Sequence, residues 1–76
     1  MEIVREESYA KETFKNVELS ATDISAASFS DCTFSACHLD KINFRGTNFS
    51  DCIFDRCEIT LPTFENCGMN GISFEG

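Results

Sequence analysis

The sequence predicts an all-β solenoid, a square tube of about three and a half coils with very short sides. Three observations predict it. All eight phenylalanines, Phe14, Phe29, Phe34, Phe44, Phe49, Phe54, Phe64 and Phe74, share one phase of a five-residue period. The intervening positions of that phase are also apolar: Leu19, Ile24, Leu39, Ile59 and Met69. Like residues then align again at a spacing of twenty, as in the column Phe14, Phe34, Phe54 and Phe74. A period of five suits neither an amphipathic helix nor a simple alternating strand, so it marks a stack of short repeated units.

Residues 1–11 precede the regular repeat and are expected to form an amino-terminal cap or a first irregular strand. There Ile3, Val4 and Tyr9 are expected to lie over Ile24 and Phe29. An uncapped solenoid exposes apolar core and unpaired strand edges, so this segment has a structural task. Residues 12–76 are expected to form the β-helix. Glu12 occupies a position meant for a small inward residue, which places the start of the regular tube just after it.

Each pentad reads as one side and one bend. Let i be the central apolar residue. Position i−2 runs Val17, Thr22, Ala27, Cys32, Cys37, Ile42, Thr47, Cys52, Cys57, Pro62, Cys67 and Ile72, mostly small or β-branched. Two inward residues separated by one outward residue is strand alternation. Two remaining positions are mostly Ser, Asp, Lys, Arg, Ala, Asn or Gly, which suits an exposed corner. Four pentads close one turn. The other columns are Leu19, Leu39, Ile59; Ile24, Phe44, Phe64; and Tyr9, Phe29, Phe49, Met69. Pro62 lacks a backbone N–H and is expected to disturb the ladder on its side.

Segments such as Ala27-Ser28-Phe29-Ser30-Asp31, Thr47-Asn48-Phe49-Ser50-Asp51 and Cys52-Ile53-Phe54-Asp55-Arg56 resemble pentapeptide repeats, whose pattern is Ala-Asp/Asn-Leu/Phe-x-x. The resemblance runs from about residue 12 to residue 76. It implies a right-handed quadrilateral β-helix with the i and i−2 side chains inside.

Composition narrows the function. Thirteen Asp and Glu against six Lys and Arg give a net charge of −7. That balance argues against direct binding of nucleic acid or an anionic membrane, either of which needs a basic footprint. No run reaches the length of a membrane helix, and the first residues lack the order of a secretory signal, so a cytoplasmic location is expected.

The five cysteines, Cys32, Cys37, Cys52, Cys57 and Cys67, include two C-x4-C pairs that superficially suggest zinc. All five lie at i−2, and the two members of each pair fall on adjacent sides, which does not favour tetrahedral convergence. They read as free thiols packed in the core. Cys32 with Cys52, and Cys37 with Cys57, stack one coil apart, within disulfide range. The sequence leaves their redox state open. His38 faces outward between Glu18 and Glu58 of the neighbouring coils and reads as a surface stack. No second histidine stands ready to activate a serine, and there is no glycine-rich phosphate loop. A non-catalytic protein without cofactor or metal is expected.

The acidic residues are the candidate partner surface: Glu18, Asp31, Asp40, Asp51, Asp55 and Glu58. Lys and Arg are absent from Val17 through Asp40, and Asp31 and Asp51 are expected on one corner. Two readings stand, an acidic surface for a protein partner and charge that keeps a solenoid soluble. Within the pentapeptide-repeat family, the Qnr and MfpA group binds DNA gyrase as acidic rods mimicking DNA and protects it from quinolones. The resemblance implies gyrase as a specific partner, with a docking scaffold unrelated to topoisomerases, or a fragment of a longer repeat protein, as the alternative. The carboxy-terminal coil has no evident cap. Leu61, Phe64, Met69, Ile72 and Phe74 are expected at an open end that pairs with a second copy to form a homodimer.

Overall fold

The computed structural model describes residues 3–75 and is built of three-residue strands, with no helix among those residues. The chain winds around a square. The first side stacks β1 (Ser8–Ala10), β4 (Ser28–Ser30), β7 (Asn48–Ser50) and β10 (Gly68–Asn70). The second stacks β2 (Thr13–Lys15), β5 (Thr33–Ser35), β8 (Ile53–Asp55) and β11 (Ser73–Glu75). The third stacks β3 (Glu18–Ser20), β6 (His38–Asp40) and β9 (Glu58–Thr60). A fourth side is held by the parallel bridges Asp23 to Asn43 and Asn43 to Thr63. Three full coils are therefore followed by the first two sides of a fourth.

All strand pairs are parallel with a register of twenty, so Phe14 sits over Phe34 and Phe34 over Phe54. This register stacks like on like inside the tube. Phe34 and Phe54 are face to face at 4.6 Å and 5°, Phe14 and Phe34 at 5.0 Å and 17°. On the first side Tyr9, Phe29 and Phe49 stack in the same way. The two columns meet edge to face, as between Phe29 and Phe34 at 5.3 Å and 68°. The edge-to-face contacts suit the ring quadrupole, and the rings make up much of the apolar core beside the inward Cys and Thr side chains.

The turns have one recurring device. Every position two after the central apolar residue, from Glu6 to Gly71, takes a positive φ between 48° and 75°. Left-handed backbone sharpens each corner to a right angle. Only Gly46 and Gly71 are glycine, and Asn16, Asp31, Asp51 and Asn66 are residues that tolerate this conformation. Alanine, lysine, arginine and leucine fill most of the others, held there by the inter-coil bonds on each flank.

The fourth side differs from expectation. Its irregularity recurs in all three coils and does not originate at Pro62. In the first two coils Asp23 Oδ1 accepts a hydrogen bond from Ser25 N–H, and Asn43 Oδ1 accepts one from Arg45 N–H. These Asx turns capture a backbone donor and replace a strand by a single bridge. Pro62 sits at i−2, where no residue contributes its N–H to the inter-coil ladder, so the missing donor is not felt. The bond from Thr63 N–H to Ile42 O, 3.0 Å, is intact beside it.

In the amino-terminal segment Ile3 is buried, and Tyr9 stacks on Phe29 at 5.1 Å. Val4 is exposed, although its N–H donates to the Tyr9 hydroxyl at 2.8 Å. β1 lies within this segment and pairs in register with β4. The molecule measures 25 × 22 × 21 Å, nearly as wide as it is long.

Candidate functional site

The i−2 cysteines are inward and free, as their phase requires. Cys32, Cys37 and Cys52 are buried, whereas Cys57 and Cys67 are half-buried because little or nothing stacks above them. Their thiols do more than fill space. Each donates to the main-chain carbonyl of a central residue one coil earlier: Cys37 to Phe14 at 3.3 Å, Cys52 to Phe29 at 3.4 Å, Cys57 to Phe34 at 3.1 Å. Thr47 uses its hydroxyl in the same way on Ile24 O, 2.9 Å. Burial pushes the Cys37 and Cys52 thiols above the ordinary thiol range, so they stay protonated and able to donate. Sequence reasoning missed this role. The available signal was the preference for side chains with a donor, Cys and Thr, at a nominally apolar position.

His38 lies between Glu18 and Glu58 in strand register, and its Nδ1 is 3.3 Å from Glu58 Oε2. All three side chains are exposed, and this surface pair is worth little to stability. Among the described residues no set of three or more His, Cys, Asp or Glu side chains is arranged to hold a metal, and no pocket opens.

The acidic residues do not converge on one surface. Glu18 and Glu58 share a column on the third side, and Asp40 lies in the other column of that side. Asp31 and Asp51 stack on the corner between the first and second sides, and Asp55 faces outward from the second. Two of these columns begin with a cation: Lys11 heads the corner of Asp31 and Asp51, and Lys15 heads the column of Asp55 and Glu75. Charge is uneven along the tube, near balance in the second coil and most acidic in the third, with Asp51, Asp55, Glu58 and Glu65 against Arg56. The outward positions of the first side carry no charge: Ser8, Ser28, Asn48 and Gly68 in one column, and Ala10, Ser30, Ser50 and Asn70 in the other.

The carboxy-terminal end is where the large apolar side chains reach solvent. Leu61 is 69% exposed, Phe74 66%, Met69 47% and Phe64 43%, with Ile72 half-buried beside them. Phe64 and Phe74 stack on Phe44 and Phe54 at 5.1 and 5.2 Å, and among the described residues no ring covers their other face. Lys41 N–H donates to Thr60 O at 2.8 Å. Among the described residues Leu61 is the only large apolar residue at a left-handed corner and the most exposed large apolar side chain.

Comparison with known proteins agrees with the geometry. A family model described as the pentapeptide repeat region matches residues 10–76. A search of curated proteins finds no match.

Proposed function

The chain belongs to the pentapeptide-repeat family, and we propose that it is a non-catalytic protein-docking module whose contact surface is the open end of the tube rimmed by the acidic third coil. The observation that carries this is the exposed apolar patch of Leu61, Phe64, Met69 and Phe74 beside the acidic residues of the third coil. An apolar patch with a polar rim and an unfinished sheet is the surface of a protein interface. The net charge of −7 favours a protein partner over a nucleic acid or an anionic membrane.

The narrower reading, a DNA mimic that occupies gyrase, rests on the family resemblance and on the acidic third coil. One copy spans only about 17 Å along the tube, on the order of five base pairs, so the mimic needs end-to-end pairing to reach a useful length. Self-association through the same end is therefore the first event to test. Light scattering coupled to size exclusion over a dilution series reads the mass. A gyrase supercoiling assay at micromolar protein then reads inhibition or quinolone protection. A mass above one copy that falls on dilution supports the docking reading, and supercoiling left untouched by the paired protein removes gyrase as the partner. A strict monomer that captures nothing through this end sinks the docking reading.

A further inference from the structure

The outward face of the first side carries no charge, and it leads into the chain's only Asn-Gly pair, Asn70-Gly71. Asparagine is thermolabile because its carboxamide carbon can be attacked by the main-chain nitrogen of the next residue, which that residue's side chain ordinarily shields. Asn16, Asn43, Asn48 and Asn66 are followed by Val17, Phe44, Phe49 and Cys67, each with a side chain beside that nitrogen. Gly71 has none, and a Cβ built there would run into Asp51 Oδ1. We propose that Asn70 is a site of deamidation, at which the uncharged side of the tube acquires a carboxylate.

The step consumes water and needs no oxidant. Gly71 N bonds to Asn70 Cγ, the carboxamide nitrogen leaves as ammonia with the Gly71 N–H proton, and a cyclic imide remains. Water then opens the imide at one of its two carbonyls. Opening at Cγ gives aspartate and restores the main chain. Opening at the main-chain carbonyl gives isoaspartate, in which the chain runs through the former side chain. Either product takes the net charge one unit below −7.

The surroundings of Asn70 favour this reaction over the same reaction at Asn43. The Asn70 side chain is exposed, and among the described residues no hydrogen bond holds its amide. Asn43 is locked: its Oδ1 accepts from Arg45 N–H at 3.0 Å, and its Nδ2 donates to Asp23 Oδ1 at 3.4 Å. The nitrogen that would attack Asn43 is also engaged, since Phe44 N–H donates to Thr63 O at 2.9 Å. One contact restrains Asn70. Its main-chain carbonyl accepts from Asp51 N–H at 2.8 Å, and ring closure has to turn that carbonyl away. Local opening of β10 therefore sets the pace in the folded protein. An isoaspartate formed there lengthens the main chain within β10 and shifts it out of register with Ser50.

Prolonged incubation of the folded protein at mildly alkaline pH tests the proposal, with peptide mass spectrometry reading each asparagine. Asn70 is expected to convert at least several-fold faster than Asn16, Asn43, Asn48 and Asn66, giving both aspartate and isoaspartate. Ion exchange is expected to resolve an intact species with one more negative charge. Asn70→Gln keeps the amide on a longer arm, and it is expected to melt as the unaltered protein does and to lose that acidic species. Conversion of Asn70 no faster than the other asparagines, conversion only in the urea-unfolded chain, or an acidic species that persists in Asn70→Gln overturns the proposal.

Discussion

Thr47 and Cys67 occupy the same inward position one coil apart and perform the same task. The Thr47 hydroxyl donates to Ile24 O at 2.9 Å, and the Cys67 thiol donates to Phe44 O at 2.8 Å. The column treats a hydroxyl and a thiol as equivalent donors, beside the small Ala27 that fills the same position without one.

That equivalence predicts the outcome of a near-isosteric pair at Cys52, whose thiol donates to Phe29 O at 3.4 Å. Thr and Val differ there only in the donor. Cys52→Thr is expected to be more stable than Cys52→Val by about 1 kcal/mol, the net worth of one buried hydrogen bond. Urea titration of both variants reads the difference, and equal midpoints would reduce the thiols to packing alone.

The corners make a separate prediction. A Cβ on Gly46 meets nothing closer than Ala26 N at 3.8 Å, so Gly46→Ala tests backbone conformation without a clash. With φ at 70°, it is expected to destabilise by about 1 kcal/mol. Ala36→Asn, at φ 53°, runs the other way and is expected to stabilise by about 0.5 kcal/mol. Thermal melts of the two variants check the opposed signs.

Much of this fold was legible because the phenylalanine phase and the twenty-residue columns are enforced by ring stacking, which leaves a direct trace in residue type. The stack of Phe14, Phe34, Phe54 and Phe74 is written in the sequence as it stands in space. The corners are less legible, because Ala21, Lys41 and Leu61 take positive φ under constraint from their neighbours and not from their own preference. The fourth side was misread at Pro62 since the decisive groups are the short side chains of Asp23 and Asn43, which bind their own backbone. The acidic residues were legible as columns. Their dispersal became apparent only when Lys11 and Lys15 were placed at the heads of those columns. The exposed apolar patch was legible from residue type at Phe64, Met69 and Phe74, because these side chains share the inward phase of the repeat, which Leu61 at its corner does not.

Buried thiols also predict an alkaline limit. Burial raises Cys37 and Cys52 above the ordinary thiol range, so the unfolded chain ionises first as pH rises. The stability they contribute is complete below the unfolded thiol pKa and is lost as pH climbs through the folded values. The urea midpoint is expected to hold at neutral pH and to fall once pH passes the ordinary thiol pKa of about 8.5. In the folded protein at mildly alkaline pH, Cys57 and Cys67 are expected to react with iodoacetamide well before Cys32, Cys37 and Cys52, because only the first two reach solvent. Mass spectrometry of the labelled peptides checks the order, and uniform labelling would mean that the coils open freely.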